Sequence, residues 1–383
     1  MIVYTVYEKE GDFMADSKKI EIGYINFGYI SPEITSDDTY PDYIRNEVLD
    51  TARKIQEVQN RNSITFGFMT DIHYSKTYTH DIRTKRLFNA YNEVKKRVGS
   101  DMLILGGDYI NDGCREYKEN NYRELRAHID GAYFPANGNH DDNSIWDLFI
   151  EADDSVSHLT TEEMYNIFYN HLPRLGAKFD EKNNGLYYYY DDEVSKVRYI
   201  FLDTADIPYK FDENGKLVYT KQHTFAISQK QTDWLISDAL GTAGKDYDIV
   251  VISHTFFKAD NKELENLYFI NDILDCYKLG TKLDKKYCDG DFTVEVKLDF
   301  ENKERANLIG CFAGHFHKDM VEYTASGVPI IYTDCSIMYN YKTKRIDSDK
   351  SEIIFDMVTI NRDEQKIYVV RCGAGEDRVV EFN

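Results

Sequence analysis

The sequence predicts an α/β fold built on a mixed and mainly parallel sheet. Short apolar runs alternate with segments whose apolar residues recur at helical spacing, an order typical of strand–helix–strand units. The end of the chain differs, because two apolar runs flank a polar turn at 361–365 and predict a hairpin. Of the 383 residues, 42% are hydrophobic and 14% aromatic. This composition supports a large core and excludes a wholly disordered chain.

The first 60 residues are predicted to form an N-terminal extension. Apolar runs at 2–7 and 20–27 predict two short strands, and the spacing of apolar residues over 41–60 predicts a helix. Residues 61–383 are predicted to form one larger domain that ends in the hairpin. The role of residues 1–60 is left open, and a segment of this kind can dock the chain onto a partner.

The larger domain contains alternating predicted strands and helices. Its predicted strands are 64–69, 102–105, 132–135, 197–202, 249–252 and 308–313. Its predicted helices are 83–98, 115–129, 161–172, 228–239 and 261–278. The terminal hairpin is predicted from 353–360 and 366–371.

The charge and the apolar runs limit the partners that are expected. The chain has 46 Lys and Arg against 67 Asp and Glu, a net charge of −21. This acidity disfavours long nucleic acids, which are bound through basic surfaces. No apolar run approaches the roughly 20 residues of a membrane-spanning helix, and the N-terminus lacks the basic region of a signal peptide. We therefore expect no membrane contact and, by default, a cytoplasmic location.

Five of the predicted strands are each followed closely by residues that can bind metal ions. The carboxyl ends of parallel strands meet at one edge of a sheet, so these residues are expected to converge. A single such residue is common and mostly structural, whereas five in this order are unlikely to arise by chance. The residues are Asp71 and His73, then Asp108 after Gly106-Gly107, then Gly138-Asn139-His140-Asp141, then His254, and finally His315 and His317 after Gly314.

The residue types predict a centre for two metal ions. Asp, His and Asn offer oxygen and nitrogen donors without a thiolate, a set that suits Mn, Fe, Zn or Ni. Two ions about 3.5–4 Å apart need one bridging carboxylate and several terminal ligands. The sequence therefore predicts two divalent ions as cofactors, with manganese among the candidates.

This series of residues resembles the calcineurin-like metallophosphoesterase superfamily. The motifs that carry the resemblance are Asp71-x-His73, Gly107-Asp108-x-x-Asn111, Gly138 to Asp141, His254 and Gly314-His315-x-His317. Weaker similarity at 228–235 and in the terminal hairpin resembles its cyclic-nucleotide phosphodiesterase and phosphatase branch. The resemblance implies a four-layer α/β/β/α sandwich of two mixed sheets, with 61–383 as the catalytic domain. Purple acid phosphatases, another branch, carry a tyrosine at the position of Asn111.

The resemblance also implies a role for each residue of the series. Asp71, His73 and His317 would hold one metal ion, and Asn139, His254 and His315 the other. Asp108 would bridge the two ions. His140 would be catalytic and act on the substrate, and Asp141 would orient its neighbours. Asn111 or Asp112 would have a supporting role near the substrate.

The implied reaction is hydrolysis of a phosphoester by a hydroxide that bridges the two ions, with phosphodiesters and phosphomonoesters both open as substrates. Two alternatives remain open. One is a nuclease of the same superfamily, against which the acidic charge argues. The other is a structural or binding protein that retains the fold, against which the complete set of ligands argues.

Overall fold

The computed structural model describes residues 39–76, 78–100, 102–148, 157–181, 184–256, 267–287, 290–337 and 345–382. The strands predicted at 2–7 and 20–27 lie outside these residues. Within them, two large mixed sheets pack face to face, and helices cover the outer face of each sheet. The predicted four-layer α/β/β/α architecture is therefore confirmed.

The described strands and helices follow the predicted alternation. The strands are β1 (Ser63–Met69), β2 (Leu103–Leu105), β3 (Tyr133–Pro135), β4 (Lys178–Phe179), β5 (Tyr188–Asp192), β6 (Val197–Phe201), β7 (Asp248–Ile252), β8 (Lys282–Tyr287), β9 (Val294–Asp299), β10 (Asn307–Ala313), β11 (Met320–Tyr323), β12 (Pro329–Tyr332), β13 (Ile354–Asn361), β14 (Lys366–Gly373) and β15 (Arg378–Glu381). The helices are α1 (Asp42–Val58), α2 (Tyr78–Val98), α3 (Arg115–His128), α4 (Thr161–Met164), α5 (Gln229–Trp234) and α6 (Phe269–Leu279).

The first sheet has the strand order β15–β14–β13–β1–β2–β3. β1, β2 and β3 are parallel, and α2 and α3 form the crossovers between them. The predicted terminal hairpin is confirmed as β13 and β14. β13 inserts beside β1 as an antiparallel neighbour, with Ser63 opposite Asn361 and Phe68 opposite Asp356. The C-terminal hairpin therefore lies at the centre of the sheet.

The second sheet has the order β11–β12–β10–β7–β6–β5–β4, and its four central strands β12, β10, β7 and β6 are parallel. Alternation along β7 divides its side chains between two cores: Val250 and Ile252 face the first sheet, whereas Ile249 and Val251 pack with α5 and α6. Phe66 of β1 meets Phe312 of β10 edge to face, with 5.4 Å between ring centroids. Such contacts close the sandwich.

Helix α1 packs on the outer face of the first sheet, against β13, β14 and α2. It begins after Pro41, and its apolar residues Ile44, Val48 and Ile55 recur at helical spacing and are fully buried. The helix predicted over 41–60 is confirmed. The domain boundary predicted at residue 60 stays a prediction.

The predicted strands of the sandwich core are confirmed within one residue at each end. The helical predictions differ more, because α4 and α5 are short and continue as π-helical turns over Tyr165–Tyr169 and Leu235–Leu240. The helix predicted over 261–278 is described as α6 from Phe269 onward. In the described chain, no helix has both the length and the apolar character that a membrane span requires.

Candidate metal centre

The carboxyl ends of β1, β2 and β3 in one sheet meet those of β7 and β10 in the other. The sequence prediction assigned these five strand ends to one sheet edge, and this was wrong, because the strands belong to two sheets packed face to face. Backbone hydrogen bonds join neighbouring ends within each sheet, from Asp71 N to Gly107 O (2.9 Å) and from Gly314 N to His254 O (2.9 Å). Between the sheets, His315 N donates to Asp71 Oδ2 at 2.9 Å. All the predicted ligands therefore lie along the seam between the sheets.

Asp71, His73 and His317 form the first group of ligands. His73 Nε2 and His317 Nε2 are 3.1 Å apart. Asp71 Oδ1 lies 3.1 Å from His317 Nε2 and 3.9 Å from His73 Nε2. Asp71 and His73 are almost fully buried. Two imidazole nitrogens and a carboxylate oxygen thus point at one small volume.

Asp108, His254 and His315 form the second group, with Asn139 beside them. Asn139 Oδ1 lies 2.9 Å from His254 Nε2 and 3.1 Å from His315 Nδ1. His254 Nδ1 donates to the carbonyl of Gly106 at 2.8 Å. This hydrogen bond fixes the tautomer that leaves Nε2 available as a ligand.

Asp108 faces both groups with the same carboxylate oxygen. Its Oδ2 lies 3.2 Å from His254 Nε2 in the second group and 3.7 Å from His73 Nε2 in the first. Its Oδ1 accepts a hydrogen bond from His140 N at 2.9 Å. The side chain is therefore held between the groups, in the position that a bridging ligand requires.

The backbone at this centre is strained. Asp71, His73, Asp108, His315 and His317 all have positive φ angles, between 46° and 70°. Residues other than glycine seldom adopt this conformation, which costs of order 1–3 kcal/mol each unless the surroundings impose it. Concentration of the strain at five predicted ligands indicates that the turns are shaped to aim these side chains.

Close packing leaves no room for a side chain at Gly314. A Cβ there would lie 2.0 Å from Thr70 Oγ1 and 2.2 Å from Asp71 Oδ2. Thr70 Oγ1 also donates to Asp71 Oδ2, at 2.6 Å. Only glycine lets β10 approach the first strand closely enough for His315 and His317 to reach the same site as Asp71.

The electrostatics of the centre keep His73 and His315 neutral and Asp108 ionised, whereas His254 must lose a proton before it can bind a cation. Burial lowers the pKa of His73 and of His315 to about 3. Burial also favours the neutral form of Asp108, but His254 and His140 outweigh it and hold the pKa of that carboxyl well below its usual value. At His254, the carboxylate of Asp108 outweighs burial and raises the pKa to about 10.

This donor set fits two divalent cations. A coordinated cation would satisfy the clustered imidazole nitrogens and carboxylate oxygens of each group, and no cysteine sulfur belongs to either group. The neutral state of His73 and His315 and the ionised state of Asp108 are those that bind a metal. Asp71, His73 and His317 would hold one ion, Asn139, His254 and His315 the other, and Asp108 would touch both.

His140 lies beside the ligands, and two contacts hold it in addition to the one between its N–H and Asp108. Its Nδ1 pairs with Asp112 Oδ2 at 2.5 Å. Its carbonyl accepts a hydrogen bond from Lys118 Nζ at 2.5 Å, and Lys118 is fully buried. Burial lowers the pKa of His140, but the carboxylates of Asp112 and Asp108 outweigh it and raise that pKa to about 9. The imidazole is therefore oriented with Nε2 on the side away from Asp112.

Asp141 acts on the backbone around the centre. Its carboxylate accepts hydrogen bonds from the backbone N–H groups of Asp108 (3.0 Å), Tyr109 (2.8 Å) and Gly138 (2.8 Å). Burial and the nearby Asp108 raise its pKa to about 6. These hydrogen bonds tie together the loops that carry Asp108 and Asn139, and the orienting role that the resemblance implies for Asp141 stays a prediction.

The sequence left Asn111 and Asp112 as alternative supporting residues, and the geometry favours Asp112 as the partner of His140. The backbone N–H of Asn111 donates to Tyr74 O at 3.2 Å.

Sequence reasoning missed Lys118 and Gln222, which reach the centre from a helix and from a long loop. Neither follows a strand, so no motif marks them.

Known proteins are similar to this chain in sequence family and in fold. The model of the calcineurin-like phosphoesterase family matches residues 64–319. A dimetal phosphatase from Danio rerio has a similar structure, with a TM-score of 0.58 and 13% identity over 84% of this chain and 99% of that one. The purple acid phosphatase PPD1 from yellow lupin (Lupinus luteus) seeds matches with a TM-score of 0.40 and 10% identity, over 83% of this chain and 54% of that one. Among curated proteins, no sequence matches this chain.

Proposed function

This chain belongs to the calcineurin-like phosphoesterase family, and from that premise we propose that it hydrolyses phosphoesters at a centre of two divalent ions. One observation carries the proposal. Two groups of ligands, Asp71–His73–His317 and Asp108–His254–His315, lie side by side, and the same oxygen of Asp108 faces both. A bridging carboxylate between two sets of nitrogen and oxygen donors is typical of two-metal hydrolytic sites.

The bound ions would supply an activated water and would neutralise charge on the phosphoryl oxygens. The side chains around the ions would donate protons and position the substrate. His140 holds a proton on Nδ1 toward Asp112 and presents Nε2 toward the centre, where it can donate a proton to the leaving oxygen or bind a phosphoryl oxygen. Lys118 and Asp108 fix the backbone of His140 on either side.

The acidic chain favours a small or exposed phosphoester over a long nucleic acid, since a polyanion would meet a net charge of −21. Phosphodiesters and phosphomonoesters both remain possible substrates. Manganese, iron, zinc and nickel all suit the nitrogen and oxygen donors. We also propose that residues 1–60 dock the chain onto a partner, and this proposal does not depend on the hydrolytic one.

The test begins with protein stripped of metal by a chelator and then titrated with Mn²⁺, Zn²⁺, Ni²⁺ or Mg²⁺. Metal content, melting temperature and hydrolysis of bis(4-nitrophenyl) phosphate and 4-nitrophenyl phosphate are measured. We expect bound metal to restore hydrolysis and to raise the melting temperature, because the ion binds only the folded state. Asp108→Asn should lower both metal content and activity, with activity falling at least a hundredfold.

The ratio of diester to monoester hydrolysis then assigns the substrate class. Lys216→Ala, on an exposed loop, is the matched control and should behave as the wild type. A wild-type protein that binds no divalent ion, or an Asp108→Asn variant that keeps full metal content and activity, would contradict the proposal.

A further inference from the structure

Gln222 reaches the candidate metal centre from the long loop between β6 and α5. A tight turn fixes its position, because His223 N and Thr224 N both donate to Thr220 O, at 3.1 and 3.0 Å. The backbone N–H of Lys221 is anchored to Ser144 Oγ at 2.8 Å. Gln222 is thus held beside Asn139 and His140.

The main chain and the side chain of Gln222 make different contacts. Its carbonyl accepts a hydrogen bond from Asn139 Nδ2 at 3.4 Å, while Asn139 Oδ1 faces His254 and His315. Its side-chain Nε2 lies 3.4 Å from His140 Nε2. The backbone therefore orients a metal ligand, and any substitution keeps that contact. The side chain instead faces the side of His140 that acts on the substrate.

The side-chain amide has unused hydrogen-bonding capacity. A glutamine amide offers two N–H donors and one carbonyl acceptor. The long contact to His140 engages at most one donor, and Gln222 Oε1 is buried without a hydrogen-bond partner among the described residues. The buried Oε1 is an acceptor and needs a donor such as a water. The amide N–H donor that the contact to His140 leaves unused can instead bind an acceptor such as a phosphoryl oxygen.

On the basis of the proposed function, we propose that Gln222 is a substrate-positioning residue whose side-chain amide donates a hydrogen bond to an oxygen of the phosphoryl group. Together with His140 Nε2, which lies 3.4 Å from it, the amide would bind oxygens of the same phosphoryl group. A neutral donor suits this position, because it orients a phosphoryl oxygen without repelling the cations expected beside it.

The test uses Gln222→Ala, Gln222→Glu and the control Lys216→Ala. All are loaded with the metal ion that best restores hydrolysis by the metal-stripped wild-type protein. Metal content, the dissociation constant for inorganic phosphate, and kcat and KM for the preferred chromogenic ester are measured. Removing a hydrogen bond to a charged oxygen should weaken phosphate binding and lower kcat/KM about tenfold to a hundredfold in Gln222→Ala. Gln222→Glu should lose more, because a carboxylate repels the phosphoryl oxygens.

Metal content should stay at the wild-type level in both variants, since the contact to Asn139 is made by the backbone. Phosphate binding within twofold of the wild type in Gln222→Ala, with full metal content, would overturn the inference, as would a large loss of metal. Failure of the wild-type protein to bind metal would instead overturn the proposed function. The two proposals can thus fail separately.

Discussion

His140 is held in place through both its ring and its backbone. Asp112 orients the ring through Nδ1, while Lys118 and Asp108 bind its carbonyl and its N–H. Lys118 Nζ also donates to Ile110 O at 2.8 Å and lies 3.9 Å from Asp112 Oδ1. One buried ammonium therefore links the backbone of His140 with the carboxylate that orients its ring. This support is what a residue in proton transfer requires.

Asp112→Asn tests that support. The amide can still contact His140 Nδ1 but carries no charge, so the imidazole would be held less firmly and in a mixture of tautomers. We expect kcat for the preferred chromogenic ester to fall about a hundredfold, within the range of general acid–base catalysis, with metal content unchanged. The matched variant is Asn111→Ala, which should cost less. A larger loss in Asn111→Ala than in Asp112→Asn would reverse the assignment of the supporting residue.

At this scale the sequence predicted the residues that follow strands and missed those that do not. Asp71 and His317 are marked by short motifs, and they are among the ligands that the structure brings together. The contact between Gln222 and His140 spans 82 residues and depends on the path of an irregular loop. No periodicity or spacing encodes such a path, so it had to be seen in three dimensions.

The secondary-structure elements show the same division between strong and weak sequence signals. The central strands are buried on both faces and appear as uninterrupted apolar runs. β8 (Lys282–Tyr287) is mostly exposed and charged, and so it gave no such signal. The π-helical turn at Leu235–Leu240 was also missed, because π turns are rare and the spacing of apolar residues over 228–239 predicts an ordinary α-helix.

Helix α1 provides a prediction about the sandwich rather than about the reaction. Ile55 is fully buried, whereas Leu49 on the same helix is half exposed. Ile55→Ala should lower the free energy of unfolding by about 2–5 kcal/mol, the usual cost of truncating a buried aliphatic side chain. Leu49→Ala should cost less than about 1 kcal/mol. Urea denaturation compares the two, and equal costs would show that α1 does not pack as described.

At the scale of the whole molecule, buried ion pairs fasten the C-terminal strands together. Asp356 on β13 is fully buried and pairs with Arg371 on β14 (2.7 Å) and Arg378 on β15 (2.5 Å). Arg371 also pairs with Asp319 at 2.6 Å, just before β11 of the second sheet. The network therefore spans both sheets.

This network predicts how stability depends on pH. Burial raises the pKa of Asp356, but Arg371 and Arg378 outweigh burial and hold it below its usual value. The stabilisation is therefore complete above the unfolded pKa of about 4 and is lost as pH falls through the folded value. Asp356→Asn should cost about 3 kcal/mol at pH 7, because both arginines lose a buried partner. Chemical denaturation from pH 7 to pH 3 should then show a shallower loss in the variant than in the wild type. Parallel losses would exclude Asp356 as a source of the acid sensitivity.

The position of the ligands along the seam has a consequence for the order in which the chain is made. Each group takes ligands from both sheets, and each needs either His315 or His317 from the loop after β10. A chain emerging from the ribosome cannot complete either group until those residues are available. β13, which pairs with β1 at the centre of the first sheet, is translated later still. Synthesis therefore cannot assemble the centre before His317 has emerged, and the first sheet is completed only once β13 follows.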